Sequence, residues 1–381
     1  MDWDDEGYAQ ANSDQSGELL LDTYRINVDG TYGDIDLSLE YRFYQGYHML
    51  HHGYFGYDFN DMWTMHFGVH QVPFNIQPYA SHNWFFSLAY YLGLEDDYDA
   101  GIKFVHDNGE GLNLQLAYYK EDEGNYTGNS DASSRYSYDI VAERSGLISW
   151  LGAISNNREV NQFNGRLAYT FTGDNYSVEV GGSAQYGMLL NDALKDIERI
   201  DNVDSVYTGD TDPWGTHMAF GGHVNATFGQ FNLMAFGIYV DHEPAVVDSG
   251  LLTAAGATSY MADFPEELVV FGAYDFPYTV ASKGILLAFQ PAYSVPVEWG
   301  PISNLQFYND FSVYLKDNDA FEDTYHNITG VLVTAGSVYT YVDFAQGKNH
   351  PWLGNFTNGL AEGNPDAEWK MRFNINFGYY F

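Results

Sequence analysis

The sequence predicts an all-β chain, a transmembrane antiparallel β-barrel of about sixteen strands with short periplasmic turns and long extracellular loops. Three observations predict it. Apolar and polar residues alternate over stretches long enough to cross a hydrocarbon core. Tight-turn residues alternate along the chain with long connections. No apolar run reaches the roughly 18 residues that a membrane helix needs, which leaves a closed barrel as the way to span a bilayer.

Composition supports each point. Tyr (33), Phe (26) and Trp (8) make up 18% of the 381 residues, with 39 Gly and 11 Pro, the balance expected of many strands joined by tight turns. A mean hydropathy of -0.32 fits a wall in which every second residue is apolar. Cysteine is absent, as suits an exported chain that must avoid wrong disulfides. Met1-Asp2-Trp3-Asp4-Asp5-Glu6 is acidic where a signal peptide is basic and then apolar, so Met1 is read as an added start on a mature chain. The net charge of -37, from 52 acids against 15 Lys plus Arg, excludes a nucleic-acid groove and argues against a pore that attracts anions.

The clearest strand is the last one. Trp369, Met371, Phe373, Ile375, Phe377, Tyr379 and Phe381 alternate with Lys370, Arg372, Asn374, Asn376, Gly378 and Tyr380. The same period recurs at Ile35–Phe43, Trp63–His70, Leu112–Tyr119, Arg166–Phe171, Tyr176–Tyr186, His217–Phe228 and Asn304–Lys316. The polar face repeatedly carries full charges and the apolar face carries aromatics. That predicts lipid outside and water inside, with lumen-lining candidates Asp34, Asp36, Glu40, Arg42, His66, His70, Arg166, Glu179, Asp310 and Arg372.

Short turns are expected at Asp29-Gly30, Asn60-Asp61, Asp107-Asn108-Gly109, Gly173-Asp174-Asn175, Gly229-Gln230 and Ala335-Gly336. Long loops are expected over about 45–53, 74–97, 121–160, 190–214, 241–277 and 346–368. An even strand count requires one further strand within Asp2–Gly17, and residues 260–276 are ambiguous. The third extracellular loop, about 74–97, has the aromatic content to pack inside a barrel. Glu95, Asp96, Asp97 and Asp99 at its return, with Lys103, are the candidate constriction. The whole chain, 1–381, reads as one barrel domain.

Gly68-Val69-His70-Gln71-Val72-Pro73-Phe74 resembles the strand-to-loop signature of phosphate-selective-type outer-membrane porins. Phe307–Ser312, Tyr341–Phe344 with Gly347-Lys348-Asn349, and the aromatic C-terminus ending on Phe381 are similar to the same superfamily. The resemblance implies a sixteen-stranded barrel in the outer membrane of a Gram-negative bacterium, a homotrimer, and no catalytic residues. It does not carry over the family's ladder of basic residues. Inward bases such as Arg25, Arg42, Lys103, Arg166, Lys283, Lys316, Lys370 and Arg372 are matched by inward acids.

The function this implies is passive diffusion of small hydrophilic solutes, cations or neutral molecules, with a carbohydrate-specific porin as the alternative. An outer-membrane barrel enzyme is weaker, because no nucleophile motif accompanies the acids and histidines. A soluble secreted β-protein is weaker still. The expected partners are the bilayer, lipopolysaccharide and the solutes. No cofactor is expected, save Ca²⁺ or Mg²⁺ at the acidic loops. His66 and His70, four apart on a strand, would stand about 13 Å apart along it, too far for one metal. His48, His51 and His52 form a loop group with no firm metal assignment.

Overall fold

The computed structural model describes residues 17, 19–124, 135–142, 157–191, 212–246, 267–274, 276–354 and 358–380. The strands run β1 Thr23–Tyr32, β2 Ile35–Tyr44, β3 His48–Asn60, β4 Trp63–Gln71, β5 Tyr98–Asp107, β6 Leu112–Asp122, β7 Asp139–Ile140, β8 Asn157–Gly173 and β9 Tyr176–Asn191. They continue with β10 Trp214–Phe228, β11 Phe231–Glu243, β12 Leu268–Ala273, β13 Phe276–Ala281, β14 Lys283–Trp299, β15 Ile302–Lys316, β16 Thr324–Ala335, β17 Val338–Lys348 and β18 Lys370–Tyr379. Fifteen of them pair antiparallel in chain order, β1 to β18 without β7, β12 and β13. This is the meander of a transmembrane antiparallel barrel.

The outer face is apolar. On β18, Phe373 (48%), Ile375 (60%), Phe377 (67%) and Tyr379 (59%) are exposed. Ile285, Leu287, Phe289 and Tyr293 on β14 continue that surface, while Leu286, Ala288, Gln290 and Ala292 between them are buried. A soluble barrel would bury the aromatic set; here it faces the surroundings, as lipid contact requires.

An odd number of alternating strands leaves the two edge strands, β1 and β18, running the same way. Among the described residues they meet through side chains, with Arg25 Nη1 donating to Tyr380 Oη at 3.4 Å. The sixteenth strand expected within Asp2–Gly17 lies outside the described residues, apart from Gly17, and so does Phe381.

Three details differ from the sequence expectation. Asp29 and Gly30 belong to β1, pairing with Ser38 and Leu37, and the reversal comes at Gly33, whose φ of 62° suits a tight turn. Residues 48–53 belong to β3, because cross-strand pairing with β2 outweighs the loop-like composition of the His-rich stretch. Within the ambiguous residues 260–276, of which 260–266 and 275 lie outside the described residues, Leu268–Ala273 form β12 and β13 starts at Phe276; with β7 these make a separate three-stranded sheet. Every described residue of β12 is buried.

That small sheet and the connection 72–97 pack together against the inner face of β9, β10, β11, β14 and β15. The expectation of water throughout the interior therefore needs correction. Phe74, Leu88, Leu92, Ile140, Val270 and Phe271 join Leu189, Phe236, Ile238, Val240, Leu286 and Tyr314 in one apolar core. Each such side chain contributes roughly 1.5–3 kcal/mol on burial. Within the connection, Tyr90–Leu92 forms a single 3-10 turn that ends at Gly93, φ 65°. A Cβ there would strike the Tyr138 carbonyl, so only glycine lets the turn sit against the small sheet.

Candidate permeation site

The inward connection is held by polar groups that the wall strands aim into the barrel. Arg166 Nε donates to the Asn75 carbonyl (2.7 Å), and the Asn75 amide donates to Ser183 Oγ (3.0 Å). Lys103 Nζ donates to the Gln71 carbonyl (2.7 Å) at the start of the loop. Asp310 accepts from the His82 amide (2.7 Å), His82 Nδ1 (2.8 Å) and Asn83 Nδ2 (2.7 Å). The Leu88 amide reaches Ser312 Oγ at 3.1 Å. Residues that are two apart on one strand share a face, which is why Asp310 and Ser312 grip the loop together.

Glu95 closes the loop on itself. It accepts from the Ala80 amide (2.9 Å), Ser81 Oγ (2.7 Å) and the Ser87 amide (3.1 Å), yet burial still raises its pKa. Asp96 accepts from Tyr98 Oη (3.1 Å) and Tyr136 Oη (2.5 Å), and burial pushes its carboxyl up to about 7. Burial and the neighbouring Glu159 and Glu123 carboxylates hold Asp97 well above the ordinary range.

Between this loop and the wall strands β1, β2, β17 and β18 lies a cavity of about 1290 Å³ that extends to the β1–β18 seam. Its polar lining is basic and amide: Arg25, Arg42, Arg372, Asn374 and Asn376, with Asp22. Its apolar lining is mostly aromatic, including Tyr44, Tyr79, Trp84, Phe85, Tyr136, Tyr339, Tyr341 and Trp352, and at the seam it reaches Leu19, Leu20, Phe373, Ile375 and Phe377. Arg42 is salt-bridged to Glu40 and lies 4.2 Å from the centre of the Tyr136 ring. Arg372 stands 5.8 Å over the Phe85 ring.

These candidate residues sort into four groups. Arg42 and Arg372 line the cavity. Glu40, Arg166, Glu179 and Asp310 face inward but are engaged: Glu40 by Arg42, Arg166 by Asn75 and Glu179, Glu179 by His223 (3.0 Å), and Asp310 by His82. Glu95, Asp96, Asp97, Asp99 and Lys103 are all buried and none lies among the cavity-lining residues; desolvation and the inward packing of 72–97 place them behind the loop. Asp34 sits in the β1–β2 turn, and Asp36 bonds Thr31 Oγ1 (2.7 Å) beside it.

His66 and His70 are closer than their spacing suggests. Their ring centres are 6.0 Å apart, because Gly68 between them takes φ 134° and both rings turn towards Tyr54. The His48/His51/His52 group lies in β3 rather than in a loop, with His51 buried between Tyr98 (4.2 Å) and Tyr136 (4.3 Å).

The aromatic lining was not anticipated as pore-facing. Its signal is parity: Tyr339 and Tyr341 share a β17 face with Asp343, which accepts from Tyr308 inside the barrel. Trp84 and Tyr136 come from loops, where periodicity says nothing about direction.

A transmembrane antiparallel barrel whose interior is narrowed by an inward-folded connection is the porin type of fold. No protein-family model and no curated protein matches the chain. Among solved structures it is similar to the anion-selective porin from Comamonas acidovorans, at 12% identity over 94% of this chain and 89% of that one, with a TM-score of 0.51. It is also similar to outer-membrane expressed OmpT of Vibrio cholerae, at 14% identity, the same coverages and a TM-score of 0.50. At these identities the likeness is one of fold.

Proposed function

We propose that this chain is an outer-membrane porin of a Gram-negative bacterium, through which small hydrophilic solutes diffuse passively. The observation that carries this reading is the inversion of the wall. Aromatic and aliphatic side chains stand exposed outside, while Arg, Asp, Asn and His point inward onto a folded-in loop with a cavity beside it. A bilayer rewards the outer face and a water-filled path rewards the inner one.

Two electrostatic features act on permeation. The net charge of -37 concentrates cations at the mouths, and the low-dielectric wall focuses that field. Three guanidinium groups border the cavity itself, and Glu40 neutralises one of them. The balance supports a pore for neutral or weakly cation-preferred solutes. The aromatic lining favours a second reading, a carbohydrate-specific porin in which sugar faces stack on Tyr and Trp rings. A homotrimer, as in the phosphate-selective-type porins that residues 68–74 resemble, completes the proposal.

Conductance of purified protein in a planar bilayer tests it. Discrete ohmic channels are expected, with reversal potentials near zero or favouring cations across a salt gradient. Absence of channels from folded protein refutes the porin reading. Saturable block of the current by a neutral oligosaccharide selects the second reading over the first. The oligomer is tested by mass in mild detergent; a monomer removes the trimer.

A further inference from the structure

We infer that Asp97, Asp99 and Asp139 together form a site for one calcium ion, which ties the inward connection to the barrel wall and to the small interior sheet. The residues come from two pieces of the chain: Asp97 and Asp99 flank the start of β5, and Asp139 lies on β7. Asp97 is the last residue of the connection, and its carbonyl accepts from the Val72 amide (2.8 Å) where the connection begins. Asp99 stands on β5, paired with Asp122 of β6. Asp139 is on β7, paired with Gly272 of β12.

Asp97, Asp99 and Asp139 are 5%, 2% and 2% exposed, and a carboxylate oxygen from each lies within 4.8 Å of the other two. Three atoms no farther apart than this share a centre at most about 2.8 Å from each, so a small inward shift of the carboxylates reaches the calcium–oxygen range of roughly 2.3–2.6 Å. Two of the three residues also offer an oxygen that is free to bind. Asp97 Oδ1 and Asp99 Oδ1 are buried and receive no hydrogen bond, although Gln162 Nε2 donates to the other oxygen of Asp99 at 3.0 Å.

The charge around them is only partly compensated among the described residues. Glu123 and Glu159 add to the negative potential at the site. Among the described residues the base bonded into the group is Arg135, which is salt-bridged to Asp122 and 3.3 Å from Asp139. Buried carboxylates in this excess need either protons or a cation. The donors are all hard oxygens, which selects against zinc and copper. Carboxylates fixed on the end of the connection, on β5 and on β7 suit the larger, geometrically flexible calcium ion better than the strict octahedron of magnesium.

The consequence is mechanical. With calcium bound, the return of the connection, the wall and the sheet that covers it become one unit. The inference depends on the barrel fold and not on which solute passes, so it can fail while the porin reading stands.

The experiment uses detergent-folded full-length protein stripped with a chelator. Calcium is titrated calorimetrically, and thermal unfolding is followed with and without calcium for wild type, Asp97→Asn, Asp99→Asn and Asp139→Asn. An exposed-turn variant, Asp61→Asn, is the control. The expected result is one calcium site per chain with a stabilising shift, weakened at least about tenfold in each interior variant and unchanged in the control. The sign for the chelated protein is a second readout. Without the ion, Asn at position 97 or 99 removes repulsion, so those two variants should unfold at or above the wild-type temperature, while Asp139→Asn also loses its Arg135 ion pair and is read by its calcium response alone. Loss of calcium response in all three, together with folding at or above wild type for the first two, supports the site. A wild type indifferent to calcium, or interior variants that respond to calcium as the wild type does, overturns it and assigns the cluster to shared protons.

Discussion

Asp310 on β15 holds the His82 imidazole at 2.8 Å and the His82 amide at 2.7 Å, across 228 positions of sequence. His82 Nε2 is held in turn by Asn232 of β11 at 2.7 Å. One loop residue is thus fixed to two different wall strands. This relationship sets the position of the inward connection beside the cavity, and the first two predictions start from it.

Replacing Asp310 with Ala removes the acceptor of three donors and leaves His82 and Asn83 buried without it. The cost should be about 2–4 kcal/mol, the range for breaking a buried charge-assisted network. Urea unfolding of the barrel into lipid vesicles measures it. The released loop should also make single-channel current noisier. A variant as stable and as quiet as wild type would show that the anchor is redundant.

The same contact is pH-dependent. Burial alone would lower the His82 pKa, but the bond and charge of Asp310 leave it raised. A histidine raised in the folded state contributes stability that is complete below its unfolded value of about 6.5 and is lost as pH climbs through the higher folded value. Unfolding midpoints should therefore fall on that rise, and His82→Gln should remove this component. The component from Asp96, whose folded pKa is about 7, should remain; it has the same sign and declines between about 4 and 7. A midpoint in His82→Gln that falls with pH as steeply as wild type above about 6.5 would refute the assignment.

The two faces of β18 predict opposite tolerance. Ile375→Arg places a charge on the exposed apolar face and should cost about 2–4 kcal/mol near mid-bilayer. Asn376→Arg, one residue on and on the opposite, less exposed face of the strand, should cost far less. Equal penalties in a vesicle-unfolding assay would contradict the lipid-facing register.

Selectivity should follow the cavity lining rather than the buried acids. Arg372→Gln removes a positive charge that borders the cavity and should move the reversal potential towards cations. The Asp96→Asn and Asp97→Asn double variant should leave it unchanged, since both carboxyls are buried behind the loop. The Arg372 effect should shrink as salt rises, with the Debye length falling from about 30 Å at 0.01 M to about 3 Å at 1 M. A double variant that shifts selectivity as much as Arg372→Gln would return the constriction to those acids.

The wall was legible in the sequence because a strand writes its two environments into alternate residues. Phe373, Ile375 and Phe377 against Arg372, Asn374 and Asn376 state which side meets lipid without any knowledge of neighbours. The long connection after β4 was legible for the same reason, as the place where alternation stops, and its aromatic content marked it as a segment able to pack inside. What lies within the barrel was decided by tertiary structure. Glu95, Asp96 and Asp97 read as acids of a constriction, yet the loop turns them into a desolvated interior where Ser81, Ser87 and Tyr136 receive two of them. Val269, Val270 and Phe271 fall in a stretch that read as long loop or ambiguous, yet they form a strand that pairs with β7 and β13. Periodicity records only the polarity on each side of a strand. It cannot record which distant segment supplies that polarity, because contacts such as His82 with Asp310 exist only once the chain has brought its ends of sequence together.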